Sequence, residues 1–386
     1  MRKVAALVLL VVSCWGHAQA LSPDDSRPPR IGVFLVADTP FWNRVALFAR
    51  AAGESLGAEI EVFNAGLDRV RMMRQLDWAA RGVHGSFDAL VFPNFLQTAV
   101  YMLEACERER ITCVLFNSDL DAQEGALLGQ PERRFRYWTA HLVPDDVQAS
   151  AAMTQALVDR AAATRPERPL SMVGVNGYRA DAPAVAREQG MRRVIEARDD
   201  VRIRQVVYTD WSGEDAYTRT LGLYHRYHEL DFIWSANYRS TTGILRALKM
   251  AGASPGYDVF VNSFGLGAEM FRQLADGEIE ITAGGHFVEG AWAVILAFDA
   301  LLTPQSEVSG IKLHTPLLLV TQDNLDDVRL ALERLESEPE RVFDVDFRQF
   351  SRRGQPEPRD YRFSFEPILR ALIEGAGATL GPVGTL

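Results

Sequence analysis

Ile31-Gly32-Val33-Phe34-Leu35-Val36, followed at once by Asp38-Thr39-Pro40-Phe41-Trp42-Asn43, is the stretch on which the fold turns. Six uncharged residues without polar alternation suit a strand covered on both faces, as strands of a parallel sheet are. Residues 41–56 then carry apolar side chains at helical spacing, and Gly57 stops the helix. The unit recurs downstream. Strands are predicted at 60–63, 89–92, 112–116, 170–175, 201–208, 232–234 and 257–261. Helices are predicted at 69–81, 97–108, 145–163, 182–198, 213–227 and 241–251. The rhythm breaks over 117–142, where polar residues and glycines intervene. Strands alternating with helices mean βαβ units. The expectation is an α/β protein of two doubly wound parallel-sheet lobes, with any ligand beyond the carboxyl ends of the strands.

Composition agrees. Of 386 residues 47% are hydrophobic, enough for a large core, and a length beyond about 250–300 residues favours two domains. The net charge of -10 argues against coating nucleic acid or an anionic membrane. Three cysteines, Cys14, Cys106 and Cys113, exclude a disulfide scaffold and a multi-cysteine zinc module. Cys106 and Cys113 are expected as separate buried thiols, a disulfide being the other reading.

The first 20 residues read as a secretory signal: Arg2 and Lys3, an apolar run over 4–12, then Ala18-Gln19-Ala20 as a small-x-small cleavage site. Val11-Val12-Ser13-Cys14 also resembles a lipobox, in which Cys14 would be acylated and retained. Export places the mature chain in the periplasm. No later run approaches about 18 apolar residues, which predicts a soluble mature chain.

The groups just after the strands are candidates for a site. Phe41 and Trp42 stand at a helix start beside Thr39 and Asp38, aromatics for stacking a polar ring next to hydrogen-bonding groups. Asn94 and Asn117 follow the third and fourth strands; an amide matches a hydroxyl-rich ligand, and capping competes with that role at both. Arg187 lies one turn inside its helix, where its fork could reach the cleft or make a surface ion pair. Asn237-Tyr238-Arg239, Asn262-Ser263-Phe264-Gly265 and Gly284-Gly285-His286 end later strands. Chemical motifs are sparse. Gly265-Leu266-Gly267 lacks the third glycine of a dinucleotide loop, and His225 and His228 read as a solvated helix face. No nucleophile, base and oxyanion hole assemble, so no catalytic residue, metal or cofactor is expected.

These strand-end residues resemble the type I periplasmic solute-binding proteins, in the sugar-binding branch with ribose-binding proteins and the autoinducer-2 receptor. The similarity runs over about 30–327. It is carried by Asp38-Thr39-Pro40-Phe41-Trp42, Ala186-Arg187-Glu188-Gln189-Gly190, residues 235–243, Asn262 to Gly267, and the closing stretch 317–324. The resemblance implies three crossover segments forming a hinge. One lobe would comprise 30–142 plus 287–316 and the other 143–286 plus 317–327, with 336–386 as a C-terminal extension. It implies ligand contacts from Phe41, Trp42, Asn117, Arg187 and Asn237, and the strand-end residues Thr39, Phe264 and His286 complete the candidate ligand-binding set. Phe264 stands where ribose-binding members have aspartate, and the receptor branch's arginine near Gly285 or His286 is absent. The implied partners are a small polyhydroxylated ligand and an inner-membrane ABC permease, or else a sensor kinase, with a monomeric protein and no nucleic acid. A secreted α/β enzyme is the reading from another class.

Overall fold

The computed structural model describes residues 27–302, 310–352 and 361–374, apart from 84, 180 and 228. The signal segment 1–20 with Cys14, as well as His228, lie outside the described residues.

Period-two patterning organises the first sheet. In β1 (Arg30–Leu35), Ile31, Val33 and Leu35 face one hydrophobic cluster and Phe34 faces another. Parallel partners surround it: β2 (Glu59–Asn64), β3 (Ala89–Pro93), β4 (Thr112–Phe116), β5 (Trp138–Pro144) and β11 (Ile311–Thr315). The order is β11-β5-β4-β3-β1-β2. The second sheet has β6 (Leu170–Asn176), β7 (Val201–Tyr208), β8 (Phe232–Ser235), β9 (Phe260–Phe264), β10 (Ile281–Gly284) and β12 (Leu318–Val320). Its order, β12-β10-β9-β8-β6-β7, mirrors the first except that β12 runs antiparallel to β10. The chain passes between the sheets three times, after β5, β10 and β11. The fold is the expected pair of doubly wound lobes joined by three segments.

In the first lobe α1 (Pro40–Leu56) packs with α10 (Glu289–Leu302) on one face, while α2 (Arg69–Ala80) and α3 (Ala99–Glu109) supply the other. The short α4 (Ala122–Leu128) follows β4. The second lobe carries α5 (Asp146–Thr164), α6 (Ala182–Ile195), α7 (Gly213–Arg226), α8 (Tyr238–Met250) and α9 (Ala268–Ala275). A Cβ on Gly190 would lie 2.2 Å from the Val147 carbonyl oxygen, so α5 and α6 can approach this closely only over glycine. Cys106 and Cys113 are buried and unbonded.

Three expectations are corrected. The break over 117–142 holds two regular elements. Asp121 and Glu124 form a capping box that starts α4, and β5 is buried despite Thr139 and His141. Thr139 donates to the Cys113 carbonyl, and the His141 ring hydrogen-bonds with the Ser118 carbonyl, so their polarity is satisfied inside. The strand expected at 257–261 begins at Phe260, because Ser254-Pro255-Gly256 make a turn in which the Asp258 carboxylate accepts from the Ser254 N–H at 2.7 Å. Phe264 therefore closes the strand rather than following it. The closing strand within 317–324 is only three residues long, since the Asn324 side chain folds back on Thr321 and Leu319.

The C-terminal extension supplies part of the core. α10 is apolar on nearly every side, and Trp292 on its outer face must be covered. The cover comes from Phe347, Phe350 and Phe363, the last stacked on the Trp292 ring at 4.6 Å. Buried Asp299 accepts from the Ser351 and Tyr361 hydroxyls and the Arg352 N–H. The chain reaches these positions from α11 (Leu325–Ser337), and the last described helix is α12 (Glu366–Ile373). Replacing Trp292 with alanine should lower unfolding free energy by about 3–5 kcal/mol in denaturant titrations; a change under about 1 kcal/mol would show that these aromatics do not depend on it.

Candidate functional site

Both sheets direct the carboxyl ends of their strands at one cleft, and the sequence-predicted residues stand on its walls. Thr39 caps α1 by accepting from the Trp42 N–H at 3.4 Å, and Pro40 opens the helix, which sets Phe41 at the rim. Asn117 follows β4 with φ +67°, a backbone conformation that asparagine tolerates better than most residues, and donates to Glu289 at 3.0 Å. Asn237 caps α8, accepting from the Ser240 N–H at 2.6 Å and donating to the Trp211 carbonyl at 3.3 Å. Its amide is therefore occupied by the backbone.

Arg187 is the best-held side chain of the group. Its Nε donates to Asp146 at 2.8 Å and its Nη1 to the Ala236 carbonyl at 2.8 Å. The guanidinium carbon sits 4.1 Å from the centre of the Phe264 ring, a cation–π contact. The pair with Asp146 is largely buried, so the surface ion pair considered from sequence does not describe it.

Two cavities share this region. One, of about 790 Å³, is lined by Asn117, Asp119, Asp121, Asp145, Asp146 and Gln189 among others. The other, of about 650 Å³, is lined by Thr39, Phe41, Arg44, Asn237, Arg239 and Phe264 among others. Arg187 and His286 border both. The His286 ring lies 4.8 Å from that of Phe41, and its Nδ1 is buried without a hydrogen-bond partner. Burial, then the nearby Arg187 charge, hold this imidazole neutral with a pKa lowered to about 3.

Trp42 differs from the rest. It borders neither cavity; its ring packs edge-on against Phe41 and Phe116, so it backs the aromatic pair from behind. Asn94 caps α3 and donates to Glu124, the structural role that competes in the sequence reading. Sequence reasoning passed over Asp146, Glu289 and Arg44. Glu289 had a signal: it is a lone carboxylate opening the apolar run of α10. Fully buried, it accepts from Asn117 and from the Thr315 hydroxyl, and burial raises its pKa to about 8.

A two-lobed α/β protein with a polar, aromatic-edged cleft at its hinge is the architecture of a solute-binding protein. The sequence profile described as periplasmic binding protein domain matches residues 32–305, and the chain belongs to that family. No curated protein sequence matches it. Among solved structures it is similar to a periplasmic sugar-binding protein from Pseudomonas fluorescens, with 23% identity and TM-score 0.73, covering 88% of this chain and 99% of that one. A solute-binding protein of an ABC transporter from Bacillus halodurans, with bound myo-inositol, gives 17% identity and TM-score 0.62 over 79% and 98%. A periplasmic ribose ABC transporter structure from Conexibacter woesei gives 16% and 0.66 over 78% and 94%. At such identities the likeness is one of fold.

Glu289 also makes stability depend on pH. Between its ordinary value of 4.5 and the raised value of about 8, the folded protein holds a proton that the unfolded chain has lost. Stability contributed by this group therefore falls as pH rises through that window, by up to about 1.4 kcal/mol per unit. Urea titrations at pH 5, 6.5 and 8 should show Glu289→Gln gaining on the parent protein at each step. A constant difference would show that Glu289 is ionised in the fold.

Proposed function

We propose that this protein is an exported solute receptor that closes on a small, hydroxyl-rich, carbohydrate-like ligand and delivers it to an ABC permease in the inner membrane. The observation that carries the reading is the convergence on one cleft of Phe41 and Asn117 from the first lobe and Arg187, Asn237 and Phe264 from the second. Family membership and sugar-binding relatives of the same fold support it, as does the signal-like N-terminus. The lobes, 30–142 plus 287–316 and 143–286 plus 317–327, rotate about the three crossings. Closure removes water, so stacking on Phe41 and hydrogen bonds to Asn117, His286 and Arg187 act at low dielectric. Ligand thereby shifts the population to the closed form, which the membrane partner reads. No bond is made or broken, and a monomer suffices.

A thermal-shift screen of neutral pentoses, hexoses and polyols tests this, since ligand at about 100 times Kd stabilises by about 2.7 kcal/mol. The expected result is a concentration-dependent rise in Tm for at least one compound without its chemical conversion. Phe41→Ala should weaken that binding by about tenfold, as expected for one lost ring contact worth about 1–1.5 kcal/mol, and leave the ligand-free Tm within a degree or two. Arg187→Ala should abolish binding and also lower the ligand-free stability by about 3–5 kcal/mol, because Asp146 is left buried and unpaired. Turnover of a bound sugar, or affinity unchanged in Phe41→Ala, would overturn the reading.

A further inference from the structure

Resting on the saccharide reading above, we propose that the ligand carries an anionic group, a carboxylate or a phosphate, which docks against Arg239 and Arg187 in the 650 Å³ part of the cleft. The charges on that wall are unevenly answered. Arg44 pairs with Glu336, which the start of the C-terminal extension delivers, and lies over the Phe287 ring. Arg187 pairs with Asp146. Glu269, the acid on the same wall, is held by Arg272 through Nη2 at 2.9 Å and Nε at 3.2 Å, and by Gln273 at 2.7 Å. Arg239 alone stands without a carboxylate within ion-pair distance among the described residues. Its Nε donates to the Tyr238 hydroxyl at 3.1 Å, which steadies the side chain and leaves both Nη groups to form a fork. Arg187 likewise has its Nη2 unbonded among the described residues. Arg239 is exposed at the cavity rim, where water answers its charge until a ligand replaces it. The two open Nη groups of Arg239 and the one of Arg187, bordering the same cavity, match the oxygens of a carboxylate or phosphate.

The other end of the cleft fixes the orientation. The 790 Å³ part is bordered by Asp121 and Asp145, which cap α4 and α5 and have no ion pair among the described residues, and by Asp119 and Asp146, which are paired with Lys312 and Arg187. The two unpaired carboxylates disfavour an anion and can accept from hydroxyls. A saccharide with one charged terminus is thus directed with its charge toward Arg239 and its hydroxyls toward these carboxylates. Phe41, Phe264 and Tyr238 supply apolar surface beside the charged end. Neutral His286 adds no competing charge at the border of the two cavities.

Isothermal titration of the purified protein with matched pairs tests the proposal: D-galactose with D-galacturonate, D-glucose with D-glucuronate, and D-ribose with D-ribose 5-phosphate. The expected result is that the charged member of at least one pair binds about tenfold or more tightly than its neutral counterpart, the worth of one charge-assisted contact. The uronate and phosphate arms tell which anion is taken. Arg239→Gln should shrink that preference to about threefold or less, Arg239→Lys should restore part of it, and both should keep the parent's ligand-free Tm. Equal or tighter binding of the neutral members, or a preference that survives Arg239→Gln, would overturn the proposal and leave the saccharide reading standing. Binding of no sugar, charged or neutral, would overturn both.

Discussion

The guanidinium of Arg187 is bound on three sides: by a buried carboxylate at the start of α5, by a backbone carbonyl just after β8, and by an aromatic face at the end of β9. Each of these contacts comes from a different element of the second lobe. A cation placed this deep is stable only if its partners are already in place, because an unpaired charge at low dielectric costs several kcal/mol. Holding the group therefore holds the loops after three strands, and so defines one wall of the cleft before ligand arrives. Such preorganisation reduces the ordering that binding would otherwise require.

The opposite wall depends on a second buried ionisable group. Glu289 lies at the first turn of α10, immediately beyond one crossing, and is bonded to Asn117 of the first lobe and to Thr315 at another crossing. One protonatable side chain thus ties the end of β4 to two hinge segments. Hinge closure needs such points, where small shifts on either side are referred to a common anchor. The aromatic cover over Trp292 continues along the same helix to Phe365, which sits against Gly285 so closely that a Cβ there would lie 2.4 Å from the ring. The C-terminal extension consequently packs on the hinge itself, and the positive φ of 93° at Gly285 is a conformation suited to glycine.

Much of this was legible in the chain. Apolar runs such as Ile31 to Val36 can be satisfied only by a strand with both faces covered, and their alternation with helical spacing leaves few architectures open. The strand-end rule then pointed to Thr39, Phe41, Asn117, Arg187, Asn237, Phe264 and His286, all of which border the cleft. Local sequence could not show that Trp42 turns back against Phe116, since adjacent residues on a helix point about 100° apart and either could face the ligand. Nor could it reveal β5, whose Thr139 and His141 look polar until their hydrogen bonds to neighbouring backbone are known.

By itself the sequence determined the elements, their order, the two-lobed class and the short roster of side chains at the strand ends, because periodicity and capping act over a few residues. Which charges are answered and which are left open was decided only in three dimensions. Asp146 and Arg187 lie 41 residues apart, Arg44 and Glu336 lie 292 apart, and Asn117 and Glu289 lie 172 apart. Pairing over such separations, and the burial that raises the Glu289 pKa and lowers that of His286, arises from the packing of whole lobes and the hinge between them.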